Sequence, residues 1–543
     1  MKIWTVHLFG NNWRRSFNQE DKLCLKGQAY IDNEKVNADN IITFFRDNKK
    51  IALLNTFLSR LNGFYAWVYE DANILIAGVD HIRSRPLFYG HLNNHLFLSD
   101  DAEWVRQRIG DKEMDLIARE EFQLAGYVTG AETLFHNVKQ LQAGECLIAR
   151  RIDTDLVVET HRYYRFLHQE PDEFNETDLR AGLDKVTVKV MQRLIDYANG
   201  RQIVVPLSGG YDSRLIVTLL KRLGYDNVLT FTYGVPGNKE SEYSKLVAAA
   251  LGLRWYFVEY NAKLWQEAWH TEERWEYQKW ASGWTSVAHV QDWLAVKKLK
   301  QQFIVDEDCL FVPGHTGDFI AGGHIPDAAF TGKHSTVDNL SGEVFINNYC
   351  NAPLRISNQS VKYWKKRVLE NVEVLSISTG KDLANWSEKW EWQERQAKFI
   401  CNSVRGYEFF GYDWWMPLWD LDFVKFWETV PLQLRYKKLW YQDYVHSVFS
   451  YNSNLKNWIG NSQDKNSSKI SSRIKTIIKL LHPVFINQLV MKFNNHKSLD
   501  YLCWDAKYSY INIKEMYNYG FSSIGINAWD ILQSITEFLK EDK

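Results

Sequence analysis

The six-residue run Ser208-Gly209-Gly210-Tyr211-Asp212-Ser213 is the part of the sequence whose residue types and spacing point most directly to chemistry. It follows the apolar run Ile203 to Leu207 and precedes the apolar run Leu215 to Leu223, so we predict a buried strand, a glycine turn and then a helix. Glycines let several backbone N–H groups face one anion, and the N-terminus of a helix favours negative charge. The run therefore predicts a phosphate-binding loop.

Asp212 indicates that a metal ion accompanies the phosphate. A carboxylate is a poor neighbour for a bare phosphate, so we expect it to hold Mg²⁺, which would bridge it to pyrophosphate oxygens. Ser208 and Ser213 add hydroxyl groups. The Gly-x-x-x-x-Gly-Lys-Ser/Thr run of kinases and GTPases is absent from the sequence, so a different kind of phosphate loop is predicted. The alternative is a strand-to-helix turn that binds no ligand.

Elements of two kinds surround this loop. Before it, residues 1 to about 170 are β-prone, with Gly63 to Tyr69 and Ile74 to Val79 predicted as a hairpin. After residue 177 the pattern becomes helix, strand, helix, with Val228 to Tyr233 as the next strand and Tyr243 to Leu251 as the next helix. This alternation predicts a parallel sheet with crossover helices.

The loop resembles the pyrophosphatase loop of the asparagine synthetase family, which includes the β-lactam synthetases. Further segments resemble that family in the same order along the chain: Asp80 to Tyr89, Leu141 to Gly144, Pro313 to His324 and Asp413 to Asp420. The resemblance implies a multidomain α/β and α+β protein. Its parts would be a degenerate glutaminase-like domain (1–170, a β-rich sandwich of the Ntn-hydrolase type), an ATP-pyrophosphatase synthetase domain (177–455, a doubly wound parallel sheet of the adenine nucleotide α-hydrolase type with added helices) and a helical extension (473–543).

The resemblance also implies an activity and a set of site residues. Members of the family use ATP to adenylate a carboxylate, release pyrophosphate, and let an amine attack the acyl-adenylate. Asp212 and Asp318 would be the Mg²⁺ ligands, and Lys437 or Lys438 would neutralise the departing phosphate, unless both lysines are solvated surface charges. The implied nucleotide contacts are Leu207, Ser208, Gly209, Gly210, Tyr211, Asp212, Ser213, Tyr233 and Gly314.

The sequence departs from the family where glutamine would be hydrolysed. Lys2 stands where glutamine-hydrolysing members carry a nucleophilic cysteine, Cys24 lies in an unrelated context, and no clear Asn-Gly-Glu segment is found. We therefore expect no glutaminase activity, so that ammonia or another amine reaches the synthetase site by a different route.

A second departure is His315, which replaces a glutamate of the family motif. The motif register suggests that His315 and Asp413 form a pair that deprotonates the incoming amine. The alternative is a histidine that shapes the pocket without moving protons.

A third departure is Trp415, which stands in place of an arginine of the amino-acid substrate region. The sequence holds 23 Trp, 28 Tyr and 29 Phe, and Trp414, Trp415, Trp419 and His324 suggest a larger, flatter ligand. A uronic acid within a polysaccharide precursor is our hypothesis for the carboxylate. Asparagine synthesis, an intramolecular ring closure, adenylation of RNA bases and a catalytically retired scaffold are the alternatives.

The bulk properties set the remaining expectations. The chain has 543 residues, 45% hydrophobic and 24% charged residues, and a formal net charge of −1, which fits a multidomain globular protein and offers no basic surface for nucleic acid. No signal-peptide core or membrane-spanning run is recognised. Six scattered cysteines without a Cys-x-x-Cys pair favour a reducing cytoplasm. The oligomeric state is not predicted.

Overall fold

The computed structural model describes residues 3–10, 12–18, 21–47, 51–331, 335–353, 358–372, 376–452, 502–508 and 513–541. In these residues the chain forms three sheets together with helices, so the predicted mixture of α and β structure is confirmed. Residues 473–501 of the predicted extension lie outside the described residues.

The elements follow one another closely along the chain. The strands are β1 Trp4–His7, β2 Trp13–Asn18, β3 Asp21–Ile31, β4 Glu34–Lys35, β5 Asn62–Glu70, β6 Ile74–Val79, β7 Phe88–Leu92, β8 His95–Ser99, β9 Lys139–Gln140, β10 Glu145–Ile152, β11 Asp155–Arg162, β12 Ile203–Pro206, β13 Val228–Gly234, β14 Arg254–Glu259, β15 Leu310–Phe311 and β16 Asp413–Trp414. The helices are α1 Ala38–Asp47, α2 Ile51–Leu58, α3 Ala102–Ile109, α4 Leu116–Ala125, α5 Glu176–Ala198, α6 Tyr211–Arg222, α7 Lys239–Leu251, α8 Ala262–Trp269, α9 Glu272–Ser282, α10 Trp293–Gln301, α11 Gly317–Ile320, α12 Val337–Asn348, α13 Asn358–Val372, α14 Gly380–Glu391, α15 Arg405–Phe409, α16 Leu421–Glu428, α17 Leu439–Asn452, α18 Ile513–Tyr519 and α19 Ser523–Glu541. A π-helical stretch, Trp392–Ile400, continues directly from α14.

The N-terminal part contains two sheets. One has the strand order β1-β8-β7-β9; the other has the order β11-β10-β6-β5-β3-β2, with β4 added at β3. The predicted hairpin is confirmed as β5 and β6, which pair antiparallel with Ala66 opposite Val79. Both sheets contribute side chains to one core cluster, for example Leu96 from β8 and Val68 from β5. The two sheets therefore bury apolar faces together.

The part of the chain that follows residue 200 contains a five-stranded sheet in the order β14-β13-β12-β15-β16. Every pairing in it is parallel, which confirms the prediction from the alternating pattern. Parallel strands bring their carboxyl ends to the same edge, and in open α/β sheets ligands bind there. We call the edge formed by Pro206, Gly234 and Phe311 the carboxyl edge.

The central strand β12 and helix α6 fix the loop between them. Ile203, Val204 and Val205 are fully buried because the strand lies between β13 and β15. Helix α6 buries Leu215 and Leu219 against the same core, and Gly210 is its N-cap without a side-chain capping bond. The loop is thus held between two buried elements, with the N-terminus of α6 facing the carboxyl edge.

Among the helices of the described residues, none combines the length and apolar content required to cross a bilayer.

Candidate active site

A cavity of about 470 Å³ lies at the carboxyl edge of the parallel sheet. Ten of the residues singled out from the sequence line it: Ser208, Gly210, Tyr211, Asp212, Ser213, Tyr233, Gly314, His315, Asp318 and Lys438. Leu207 and Gly209 are buried in the same loop but are not part of the lining. The structure therefore gathers most of the predicted site into one place.

The glycine turn is organised by its own hydrogen bonds. The Ser208 N–H donates to Ser213 Oγ at 3.2 Å, and the Gly210 N–H donates to Ser208 Oγ at 3.1 Å. The Leu207 N–H donates to the carbonyl oxygen of Phe231 in β13 at 2.8 Å. These bonds hold both serine hydroxyls at the start of α6, where the helix dipole favours an anion.

Glu240 of α7 lies against this turn. Its Oε2 accepts a hydrogen bond from the Gly209 N–H at 2.9 Å. The backbone of the loop thus binds a negatively charged oxygen. A phosphate-binding turn binds phosphate oxygens through the same kind of N–H contact. Sequence patterns did not single out Glu240, because its contact with Gly209 arises only when α7 packs beside the loop.

The backbone at Asp318 meets the Asp212 carboxylate beside the glycine turn. The backbone N–H of Asp318 donates to Asp212 Oδ2 at 3.1 Å, and the Tyr441 hydroxyl donates to Asp212 Oδ1 at 2.8 Å. This approach requires Gly317, because a Cβ there would lie 2.5 Å from Asp212 Oδ1 and 2.5 Å from the Tyr441 hydroxyl oxygen. The glycine preceding Asp318 is thus explained by close packing rather than by backbone conformation.

The charges around Asp212 and Asp318 are compatible with a bound cation. Burial raises the pKa of Asp212 to about 6, against the opposing effects of the Tyr441 hydrogen bond and the Lys438 charge. Burial also lowers the pKa of Lys438, whose Nζ contacts Asp318 Oδ1. A divalent cation beside Asp212 would favour its ionised form. Asp212 and Asp318 are therefore the residues that could hold a metal ion.

The number of protein ligands fits a particular kind of metal. Within the described residues there is no group of three or more His, Cys, Asp or Glu side chains arranged to hold a metal. Mg²⁺ is commonly bound by one or two carboxylates, with substrate phosphates and waters completing the octahedron. Asp212 and Asp318 fit this pattern.

Only one of the two predicted lysines lies at the cavity. Lys438 lines it and contacts Asp318, whereas Lys437 is fully exposed and places its Nζ 5.0 Å from the centre of the Tyr436 ring. Both residues adopt left-handed backbone conformations, with φ of 49° for Lys437 and 62° for Lys438. The structure thus brings Lys438 to the site and leaves Lys437 in solvent.

His324 connects Asp318 to a buried acid. Its Nε2 lies 3.2 Å from Asp318 Oδ2 and its Nδ1 lies 3.0 Å from Glu391 Oε2. Burial would raise the pKa of Glu391, but His324 and Arg395 outweigh it and lower this pKa to about 2. Glu391 is therefore an ionised partner that orients the imidazole toward Asp318.

The structure does not bring His315 and Asp413 together. His315 follows β15 at the carboxyl edge, whereas Asp413 pairs with Leu310, the first residue of β15, and so lies at the opposite edge of the sheet. There Asp413 accepts hydrogen bonds from Tyr197 and Arg201, at 2.6 Å and 3.2 Å, and lines a separate cavity. The hypothesis that Asp413 supports His315 as a base is therefore at odds with the geometry.

His315 has other neighbours. Its ring nitrogens lie 3.4 Å and 3.5 Å from Ser403 Oγ. His289, Asp292 and Tyr407 line the cavity with it. No sequence pattern pointed to these three residues, because the loop that carries His289 and Asp292 meets the helix that carries Tyr407 only in the folded chain.

The tryptophans that suggested a flat ligand lie elsewhere. Trp414, Trp415 and Trp419 are at most 1% exposed, and none of them lines the cavity. Trp415 packs against Tyr197, with ring centres 4.4 Å apart. These rings belong to the core, so the aromatic content does not describe the ligand.

The chain matches two protein families. Residues 198–449 match the asparagine synthase family, and residues 52–164 match the glutamine amidotransferase domain. A comparison with curated proteins finds no significant match.

Solved structures show weak similarity. They include a glutamine phosphoribosylpyrophosphate amidotransferase from B. subtilis complexed with ADP and GMP, with 12% identity and a TM-score of 0.19 over 56% of this chain and 63% of that chain. They also include an NH3-dependent NAD synthetase from Campylobacter jejuni in complex with the nitrate ion, with 16% identity and a TM-score of 0.20 over 35% of this chain and 83% of that chain. The chain spans less than two thirds of the first of these proteins. TM-scores this low support no argument about architecture or activity.

The asparagine synthase match includes every residue that lines the cavity. The synthase match covers the glycine turn, Asp318 and Lys438, which lie at the cavity described above. The chain therefore carries a segment similar to the glutamine amidotransferase domain, followed by a segment similar to the asparagine synthase family.

Proposed function

We propose that the chain uses Mg²⁺-ATP to adenylate a carboxylate, releases pyrophosphate, and forms an amide when ammonia or an amine attacks the acyl-adenylate. The observation that carries this proposal is the contact between the Asp318 N–H and Asp212 Oδ2 beside the glycine turn. It ties the loop that carries Asp318 to Asp212 beside the glycine turn, and both residues line the cavity, where they would hold a metal ion that accompanies the nucleotide phosphates.

Each group at the loop has a role in this reaction. Ser208, Ser213 and the Gly210 N–H bind phosphate oxygens at the N-terminus of α6, supported from behind by Leu207 and Gly209. Tyr211, Tyr233 and Gly314 complete the nucleotide pocket, and Asp212 and Asp318 would hold a metal ion, which would supply charge neutralisation. Lys438 is placed to neutralise the departing pyrophosphate, because its Nζ already lies at Asp318.

We propose further that the amidotransferase domain lacks glutaminase activity. Cys24 and Cys146 are buried in strands, and burial raises the pKa of both thiols, that of Cys146 to about 12. A buried thiol with a raised pKa is a poor nucleophile, so ammonia or an amine would be the direct nitrogen source.

We also propose a fold type and residue limits for each domain. The two N-terminal sheets fit a sandwich of the Ntn-hydrolase type over residues 1–170, and the parallel sheet fits a doubly wound arrangement over residues 177–455. The family matches at 52–164 and 198–449 fall within these limits. A cytoplasmic location completes the proposal.

We propose that the carboxylate substrate is a small molecule. The tryptophans that suggested a uronic acid pack in the core, so they no longer favour it over other carboxylates. The candidates are a uronic acid, aspartate, and a substrate whose own amine attacks its adenylated carboxylate to close a ring. Pyrophosphate release should be measured with each carboxylate, with and without ammonia, and the product identified by mass spectrometry. Release that depends on one carboxylate, with an amide as product, supports the proposal; ATP binding without release from any carboxylate in the panel favours a scaffold.

A further inference from the structure

A second cavity, of about 270 Å³, adjoins the nucleotide cavity. His289 and Gln291 line both cavities, so the two spaces adjoin at the loop between α9 and α10. The other walls come from the π-helical stretch, which contributes Phe399 and Ile400, and from the start of α19, which contributes Asn527. We call this space the Asn527 cavity. The roles assigned above to the nucleotide site do not involve it.

The wall formed by α19 is fixed by contacts within the chain. The Ser522 N–H donates to the carbonyl oxygen of Asn351 at 2.8 Å, and the Gln123 side-chain amide donates to the carbonyl oxygen of Gly525 at 2.6 Å. A Cβ at position 525 would lie 1.8 Å from the Asn351 carbonyl oxygen, so the close approach of α19 requires glycine there. The side chains at the start of α19 are therefore held in place, as selective binding requires.

Asn527 presents a hydrogen-bond donor to this cavity. The residue is 5% exposed and belongs to the lining. Its Oδ1 accepts hydrogen bonds from Lys507 Nζ, at 3.1 Å, and from the Tyr508 hydroxyl. Because the lysine nitrogen donates, the oxygen of the amide faces Lys507, and no acceptor in the described part of the chain receives a hydrogen bond from Nδ2. A buried donor of this kind costs free energy unless an acceptor oxygen meets it.

The lining of the Asn527 cavity offers no uncompensated charge. Of the lysines, arginines and acids in the described residues, Arg395 alone lines it. Arg395 Nη1 lies 3.7 Å from Oε2 of Glu391, the ionised acid described above, so the two charges balance. An ammonium or carboxylate group of a ligand would lose its hydration here without gaining a counter-charge.

Apolar side chains form much of the remaining surface. Val287 and Val290 are each 1% exposed, and Phe399, Ile400 and Ile524 extend the same lining. Such a surface favours the burial of CH₂ groups and ring carbons. The cavity therefore suits an uncharged, largely apolar group that carries an acceptor oxygen for Asn527.

We propose that the Asn527 cavity holds the body of the carboxylate substrate and selects an acid whose body is uncharged, largely apolar and equipped with an acceptor oxygen that Asn527 Nδ2 binds. This inference rests on the proposed function and narrows its substrate class. Aspartate does not fit the class, because its body carries an ammonium group and a second carboxylate.

Three oxo acids serve as probes: 4-oxopentanoate, 5-oxohexanoate and 6-oxoheptanoate. Each is titrated into full-length protein by ligand-detected NMR, beside the alkanoate of the same chain length and the amino acid with an ammonium group in place of the oxo group. We expect one oxo acid to bind about tenfold or more tightly than its alkanoate, because the alkanoate leaves Nδ2 without an acceptor. The matching amino acid should be weaker than the oxo acid by at least as much.

N527D tests the donor itself. The aspartate keeps an oxygen for Lys507 and Tyr508 but replaces the Nδ2 donor by an acceptor, so the preference for the oxo acid over its alkanoate should disappear. This ratio cancels any general repulsion between the new carboxylate and an acidic probe. The matched control is N40D, since Asn40 is exposed on α1 and lies outside the cavity, and it should retain the preference.

The results separate the cavity from the proposed function. Wild-type protein that binds no oxo acid better than its alkanoate, or that binds the amino acid as tightly, overturns the inference even if N527D fails to fold. A preference that persists in folded N527D overturns it as well. A preference lost in N527D, without pyrophosphate release from any carboxylate, would keep the selectivity of the cavity and remove the proposed function. Pyrophosphate release that depends on aspartate, without any preference among the probes, would overturn the role of the cavity alone.

Discussion

Asp318 and Asp212 are 106 residues apart in the chain, yet the backbone N–H of Asp318 donates to Asp212 Oδ2 at 3.1 Å. The contact exists because β12 and β15 are neighbours in a parallel sheet, so the loops that follow them meet at the carboxyl edge. It joins a main-chain donor to a carboxylate and thereby fixes the position of one metal-ligand candidate relative to the other.

Gly317 should be essential for the approach of the two loops. A Cβ at this position would lie 2.5 Å from Asp212 Oδ1, so Gly317→Ala should displace the carboxylate and lower the rate of pyrophosphate release by about tenfold to a hundredfold. Gly342→Ala is the control, because the nearest atom to its added Cβ is 3.6 Å away. Equal rates for Gly317→Ala and wild type would show that the tight approach is not needed.

The two adjacent lysines should differ in their effect. Lys438→Met removes the cation that contacts Asp318 and should slow pyrophosphate release by about a hundredfold, since a charge aimed at the developing anion is lost. Lys437→Met removes a fully exposed charge and should leave the rate within about twofold. Single-turnover rates with saturating ATP make the comparison. The reverse order of effects would move the functional role to Lys437.

Glutamine should not replace ammonia. The N-terminal cysteines that could attack an amide, Cys24 and Cys146, are buried thiols with raised pKa values. Purified protein incubated with glutamine should therefore release no glutamate above the uncatalysed rate. Glutamate release that disappears in Cys24→Ala would mean that this domain retains a nucleophile.

Glu428 should make folding stability depend on pH. It accepts a hydrogen bond from the Tyr164 hydroxyl at 2.7 Å, and burial, opposed by that bond, raises its pKa to about 7. Because the folded state holds this proton more tightly than the unfolded state, its contribution to stability is complete below about pH 4.5 and is lost as the pH rises toward 7. The loss is on the order of 3 kcal/mol.

Glu428→Gln should remove this dependence while keeping an acceptor for Tyr164. Thermal midpoints measured between pH 4.5 and 8 should show wild type losing stability relative to the variant as the pH rises. Glu267→Gln is the control, since the Glu267 side chain is 63% exposed. A constant difference between wild type and Glu428→Gln across this range would contradict the raised pKa.

Local patterns predicted the elements next to the site well. The strand–glycine–helix sequence from Ile203 to Arg222 is contiguous, so its apolar periodicity is enough to place β12, the turn and α6. The hairpin β5–β6 was predictable for the same reason. Asp318 was found through the resemblance to a family, because its position depends on how distant loops meet.

The remainder depends on tertiary packing. Asp413 lies in a segment that resembles a family motif. The motif does not reveal that Asp413 pairs with Leu310 at the amino end of β15, away from the cavity. Composition likewise cannot tell a ligand-binding tryptophan from a core one such as Trp415. Asp292 and Tyr441 come from segments without a recognisable pattern, and only the fold brings them to the cavity.

Pyrophosphate release from Mg²⁺-ATP by Asp212→Asn and wild-type protein is the most direct test of the central claim. Asparagine keeps the size of the side chain and an oxygen for the Asp318 N–H but removes the charge that would hold the metal ion. With the carboxylate that supports release in wild type, the account predicts a loss of at least about a hundredfold in the variant, with the fold unchanged by circular dichroism. A rate close to that of wild type would contradict the assignment of this loop as the pyrophosphate and metal site.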